Sequence, residues 1–255
     1  MALHVLQKWH GAGNDFLVEV SEQGAVPWWT PETVRALCDR HTGVGADGLL
    51  VASLGSEVTM ELLNADGSTA AMSGNGIRCL AAAVRRATGA TWDHLDVATA
   101  AGWRTVTYEG DEDAGWGSVD MGPVTRGPTP EGSLGFADVG NPHVVVRDHE
   151  EWTQEWREHL ARELSAAVGG ANVEFVRVVS RGRVVLSVIE RGVGWTRACG
   201  TGSCASASIL RELGEVDDEV TIVNPGGELL VHLDGARATL SGPTRFVANV
   251  EWLDG

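Results

Sequence analysis

Lysine is almost missing from this 255-residue chain, which carries eighteen arginines and a single lysine, Lys8. Amino-acid enzymes that use pyridoxal phosphate hold it as a lysine Schiff base. Lys8 lies in no recognisable cofactor motif, which argues against that cofactor. Basic residues are scarce as a class, 19 against 35 acidic ones, for a formal charge of -16. Such a surface repels phosphate and anionic lipid, so neither nucleic acid nor a membrane is an expected partner. No stretch reaches the roughly 18 to 20 apolar residues of a membrane span. The start of the chain has no basic-then-apolar signal pattern, and the expected address is the cytoplasm. Four cysteines, Cys38, Cys79, Cys199 and Cys204, are too few for a disulfide framework at this length and are expected as thiols. The eight histidines show none of the short His or Cys spacings of a zinc site, so no metal is expected. Gly11-Ala12-Gly13-Asn14 lacks the third glycine of a dinucleotide fingerprint, and there is no phosphate-binding loop.

What is present is a hydrophobic content of 43%, enough for a folded core. Short β-branched runs at Val58 to Leu63, Val97 to Ala100, His143 to Arg147, Val173 to Val179, Val184 to Ile189 and Val220 to Val223 read as strands. Helices are expected over Pro31 to Arg40, with Thr30 as N-cap, and over Gly76 to Ala87, Glu151 to Ala166 and Gly202 to Leu213. The chain is therefore mixed α/β.

Four motifs recur in the same order at an offset of 125 to 127 residues. Asn14-Asp15-Phe16 answers Asn141-Pro142-His143, and Gly45-Ala46-Asp47 answers Gly170-Ala171-Asn172. Asn64-Ala65-Asp66-Gly67 answers Glu190-Arg191-Gly192-Val193, and Ser73-Gly74-Asn75-Gly76 answers Cys199-Gly200-Thr201-Gly202. Any one match is weak; four in register imply a duplication. The expected halves are residues 1–115, completed by the last strand over 244–255, and residues 116–243. A pseudo-two-fold relation would set corresponding motifs facing one another across a cleft.

The last pair carries the chemistry. Each member leads into an alanine-rich helix, so Gly74, Asn75, Gly200 and Thr201 lie at helix N-termini. There, free N–H groups and the positive end of the helix dipole suit a carboxylate or the charge that develops when an α-proton leaves. Cys199 sits at such a start, where a thiol is expected to fall from about 8.5 toward neutrality and to serve as a base. Cys38, Cys79 and Cys204 lie on Ala- and Leu-rich helical stretches and read as structural.

These motifs, together with residues 8–16, Asp39 to Gly48, Gly140-Asn141-Pro142-His143 and Asn172-Val173-Glu174-Phe175, resemble the diaminopimelate epimerases over essentially the whole chain. The resemblance implies an α/β (α+β) fold of two pseudo-symmetric halves, each a curved, mostly antiparallel sheet wrapped around a central helix, with the active site in the cleft between them. In that family two cysteines, one per half, flank the α-carbon. Here Cys199 matches the second, and Ser73 stands where the first is expected. An engineered change, a natural variant in which Ser73 donates or relays a proton, and a relative with another reaction all fit that departure.

The resemblance further implies that Arg191, with Asn172, holds the distal carboxylate of a two-ended amino acid. Asn64, Asn141 and the Glu190 region would meet its amino group, Asn14 would line the cleft, and His143 and Glu190 would tune the base. The expected activity is cofactor-independent interconversion of LL- and meso-2,6-diaminopimelate in a homodimer. Another racemase of the same fold and an inactive amino-acid-binding relative are the alternatives. A cysteine hydrolase built on Cys199 and His143 shows no third orienting residue in the sequence.

Overall fold

The computed structural model describes residues 3–22 and 29–253. Residues 254 and 255, the end of the expected closing strand, lie outside them. The chain forms two compact units, Met1–Val119 with Gly242–Gly255, and Asp120–Ser241.

The first unit contains β1 (Leu3–Gly11), β2 (Asn14–Glu22), α1 (Pro31–Cys38), β3 (Gly48–Leu54), β4 (Val58–Asn64), β5 (Thr69–Ala70), α2 (Gly74–Thr88), β6 (Leu95–Thr99), β7 (Gly102–Gly110) and most of β8 (Ala114–Pro123). β1 and β2 form a hairpin whose two turn residues, Ala12 and Gly13, have φ of 51° and 79°. Two successive left-handed residues match the right-handed twist of paired strands. The second unit contains β9 (Thr125–Arg126), β10 (Gly135–Asp138), β11 (Pro142–Arg147), α3 (Gln154–Ala167), β12 (Asn172–Ser180), β13 (Arg183–Glu190), β14 (Gly194–Thr196), α4 (Gly200–Glu212), β15 (Glu219–Asn224), β16 (Gly227–Asp234) and the start of β17 (Arg237–Leu253).

Apart from β9, the second unit repeats the first element for element. β1 pairs antiparallel with β2, as β10 does with β11. β2–β3 and β11–β12 are parallel, and β3–β4 and β12–β13 are antiparallel. β4–β6 and β13–β15 are again parallel, and β6–β7 and β15–β16 antiparallel. The duplication read in the motifs is thus a duplication of topology.

In each unit the strands pack around a helix. α2 packs on β1, β2, β3 and β7, and α4 on β10, β11, β12, β15 and β16. α2 is buried without a break from Gly74 to Val84, and α4 from Gly200 to Ala207. A helix surrounded by sheet must be apolar or small on every side, and the runs Cys-Leu-Ala-Ala-Ala-Val and Ser-Cys-Ala-Ser-Ala supply that. The other two helices are one-sided. Val34 and Leu37 of α1 join Leu6, Leu17 and Leu49 in one core. Ala161 and Leu164 of α3 join Val144, Val173 and Phe175 in another. Each fully buried Leu or Phe contributes about 1.5–3 kcal/mol.

Helix ends depart from expectation where a side chain captures the backbone. α1 stops at Cys38 because the Asp39 carboxylate accepts the N–H groups of His41 and Thr42 at 2.8 and 2.6 Å. α3 begins at Gln154 because the Thr153 hydroxyl accepts the Trp156 N–H. α2 and α4 each begin two residues earlier than the expected Gly76 and Gly202, since Ser73 and Cys199 are their N-caps.

Candidate active site

Ser73 and Cys199 occupy equivalent places. Ser73, at φ −138° and ψ 121°, accepts the Gly76 N–H on its hydroxyl at 3.0 Å. Cys199, at φ −124° and ψ 113°, accepts the Gly202 N–H on Sγ at 3.4 Å. Neither helix has an acidic residue of its own in its first turn, so each helix start keeps the positive end of its dipole, which favours negative charge there. Gly74 and Asn75 open α2 and Gly200 and Thr201 open α4, all buried.

In the first unit, strand register gathers the remaining predicted residues. Gly48 pairs with Phe16 on one side and Asn64 on the other, so Asn14, Asp47 and Asn64 lie at one end of β2, β3 and β4. Asn14 donates to Asp47 Oδ2 at 2.6 Å, and its Oδ1 accepts from Asn75 at 3.4 Å. Asn64 instead turns to Ser68 Oγ at 3.0 Å. Arg78, fully buried, donates to the Gly74 carbonyl and to Asn75 Oδ1 at 2.8 and 2.6 Å and so fixes the first turn of α2.

In the second unit, His143 pairs with Asn172, and Val173 with Ile189. Asn141, His143, Asn172, Glu190 and Arg191 therefore crowd the same end of β11, β12 and β13. The Arg191 N–H donates to Asn172 Oδ1 at 2.9 Å, while its guanidinium lies exposed, 3.5 Å from the Gly170 carbonyl. Glu190 Oε1 accepts from the Thr196 hydroxyl at 2.6 Å. Thr201 Oγ1 is 3.5 Å from Cys199 Sγ.

The sequence reading assigned no role to Glu174. It is fully buried on β12, two residues beyond Asn172, the strand partner of His143, and its Oε1 lies 2.6 Å from His143 Nδ1. Asn141 Oδ1 lies 3.0 Å from the other ring nitrogen. The signal was available: a carboxylate among the buried residues Asn172 to Val176 needs a partner. Glu174 also supplies the third orienting residue that a Cys199–His143 pair lacked in the sequence.

His143, Glu174 and Cys199 bring ligand-type atoms within 4.8 Å of one another, a grouping that no short sequence spacing announces because it is built from two strands and a helix start. The donor types would suit zinc. However, two ligands about 2.0–2.1 Å from one tetrahedral ion sit about 3.3 Å apart. The 2.6 Å contact between Nδ1 and Oε1 is a hydrogen-bond distance.

The expectation for the Cys199 thiol is reversed. Burial, then the charges of Glu190 and Glu174, push it well above its ordinary value, outweighing the hydrogen bonds from Thr201 and the Gly202 N–H. The helix start is real, but desolvation of a thiolate beside two carboxylates outweighs it. Cys38 and Cys79 are likewise pushed up, to about 11 and about 12, chiefly by burial.

The profile of the family described as Diaminopimelate epimerase matches residues 6–127 and 135–247. A diaminopimelate epimerase of Rhodococcus opacus is 38% identical over 95% of this chain and 94% of its own length. One from Clostridium perfringens is 32% identical over 96% and 98%. An O-ureido-serine racemase of Streptomyces lavendulae is 36% identical over 94% and 92%. Among solved structures, a predicted epimerase of Pseudomonas aeruginosa aligns with a TM-score of 0.77 at 14% identity, covering 99% of this chain and all of that one, a likeness of fold. With the family profile matched across both units and curated relatives matched over nearly their full length, the chain belongs to the diaminopimelate epimerase family.

Proposed function

We propose that this protein is an isomerase of lysine biosynthesis that interconverts LL- and meso-2,6-diaminopimelate without pyridoxal phosphate. The observation that carries the reading is the matched pair of N-caps, Ser73 and Cys199, set by two copies of one topology at the starts of α2 and α4. Cys199 removes or returns the α-proton on one face, and Ser73 serves the other. The N–H groups of Gly74 and Asn75, and of Gly200 and Thr201, hold the α-carboxylate and the enolate-like charge of the intermediate. Asn64, Asn141, Asn172, Glu190 and Arg191 hold the distal amino-acid end. Arg191 suits a carboxylate through its planar fork, and its backbone is already fixed by Asn172. The single lysine is tied to Asp15 at 3.1 Å and to the Gly45 carbonyl at 2.6 Å, which supports chemistry without a Schiff base.

A serine hydroxyl is a far weaker base than a thiolate, so its role is to donate or relay a proton, and turnover is expected to be low. Incubation with LL- and, separately, meso-diaminopimelate, followed by chiral chromatography, should drive both samples to one mixture. No conversion from either isomer, together with no binding by calorimetry, would contradict the assignment. The Streptomyces lavendulae relative favours a second reading, a racemase of another amino acid. O-Ureido-serine run in the same assay decides between them by relative kcat/KM.

A cytoplasmic location and a homodimer belong to the same proposal. Four free cysteines support a reducing compartment. Exposed Leu3, Val5, Val247 and Leu253 on the paired strands β1 and β17 support self-association.

A further inference from the structure

His143 and Glu174 are both fully buried, and their hydrogen-bond partners limit where their protons can sit. Asn141 Oδ1 faces His143 Nε2 at 3.0 Å, and an amide oxygen only accepts, so Nε2 carries a hydrogen. Nδ1 and Glu174 Oε1, 2.6 Å apart, must then share one more. Whether written as imidazolium and carboxylate or as imidazole and carboxylic acid, the pair is neutral overall, which is how a buried carboxylate avoids an unpaired charge.

Glu174 Oε2 is buried and has no hydrogen-bond partner. The carboxylate lies against the first turn of α4: a Cβ at Gly202 would stand 2.4 Å from Oε1, so a side chain at 202 would displace it. Cys199 Sγ is within 4.8 Å of both members of the pair, a span that one water molecule bridges.

We propose that Glu174 is a positioning residue that ionises Cys199 by accepting its proton. The Sγ–H bond breaks and an Oε2–H bond forms, directly or through one water. His143 keeps its proton on Nδ1, leaving a thiolate at the α4 N-terminus beside an imidazolium–carboxylic acid pair. The inference rests on Cys199 acting as the acid–base group of the proposed reaction. Among the described residues, Glu190 of β13 and Glu174 of β12 are the carboxylates whose charges act on Sγ, and His143 of β11 lies beside them. Releasing the proton to solvent would add a net negative charge to a pocket that already holds two carboxylates. The internal transfer leaves the net charge of the pocket unchanged.

The sign of one substitution separates this role from a merely electrostatic one. As a fixed negative charge, Glu174 disfavours the thiolate, and Glu174→Gln would make Cys199 more reactive. As the proton acceptor it makes the thiolate, and the same change would make Cys199 less reactive. The experiment measures carbamidomethylation of Cys199 by iodoacetamide, read from the mass of its peptide, without substrate and across pH.

The unmodified protein is expected to react at a nearly constant rate between about pH 6 and about pH 8, because the proton moves internally. Glu174→Gln is expected to be at least about tenfold slower at neutrality, with a rate climbing about tenfold per pH unit. Glu190→Gln, which removes a like charge and keeps the acceptor, should react faster than the unmodified protein. A Glu174→Gln rate equal to or above that of the unmodified protein overturns the proposal. So does a tenfold-per-unit climb in the unmodified protein itself, a test that stands even if the variant does not fold. Because no substrate is present, failure here is distinct from failure of the diaminopimelate assignment.

Discussion

At the scale of the residue, the two N-caps differ by one atom type and share one backbone geometry. Cys199 shows that sulfur can cap a helix in this setting, accepting the Gly202 N–H at 3.4 Å where Ser73 Oγ accepts that of Gly76 at 3.0 Å. Ser73→Cys should therefore shift stability by less than about 1 kcal/mol while raising kcat by about a hundredfold or more through a better acid and base. Thermal unfolding and steady-state kinetics on one preparation check both halves. Cys199→Ala should abolish α-proton exchange while leaving the fold intact by circular dichroism. The sequence pointed to Cys199 through the glycines after it, but it could not show the state of the thiol. That depends on burial and on Glu174 and Glu190, residues remote in sequence that the sheet brings beside Sγ.

At the scale of the element, first turns decide what each helix can do. Gly202 is the tightest case: a Cβ there would meet Glu174 Oε1 at 2.4 Å and its Cδ and Cγ at 3.0 Å. Gly202→Ala should cost about 1–3 kcal/mol and disturb the His143–Glu174 contact. Gly76→Ala would meet Ser73 at 3.1–3.2 Å and should cost less; urea midpoints of the two variants test the order. Elements with strong punctuation were legible. Thr30 before Pro31, and the valine-rich runs of β11, β12 and β13, marked their elements well. β7 and β8 were not, for physical reasons: Trp103 and Trp116 are exposed, and the apolar alternation is broken by Gly115 and Gly117. The last strand was read over 244–255, but β17 begins earlier, at Arg237, and runs through Gly242 and Pro243, residues that ordinarily interrupt a strand. Glu174 lay in plain view inside a quoted motif, and only the register of β11 on β12 gave it a partner.

At the scale of the whole molecule, one topology is used twice, with Ser73 capping one central helix and Cys199 the other, and the duplication was readable because four motifs keep an offset of 125 to 127 residues. Stability also has a pH signature at this scale. Burial raises Asp15, but its hydrogen bonds to Arg40 and Lys8 outweigh that and hold it below its ordinary value of 3.8. A carboxylate lowered in the folded state stabilises above its unfolded value, and that stability is lost as pH falls through the folded one. The stability gap between the unmodified protein and Asp15→Asn, measured by urea denaturation, should be full near neutrality and shrink below about pH 4.

Whether Cys199 and Ser73 act as the proposed unequal acid–base pair is decided by α-hydrogen exchange in deuterated water. LL- and meso-diaminopimelate are followed separately by NMR, with inversion read in the same samples. The isomer presenting its α-hydrogen to Cys199 is expected to exchange faster, and Ser73→Cys to bring the slower isomer up to it. Equal exchange from both isomers that survives Cys199→Ala would contradict it.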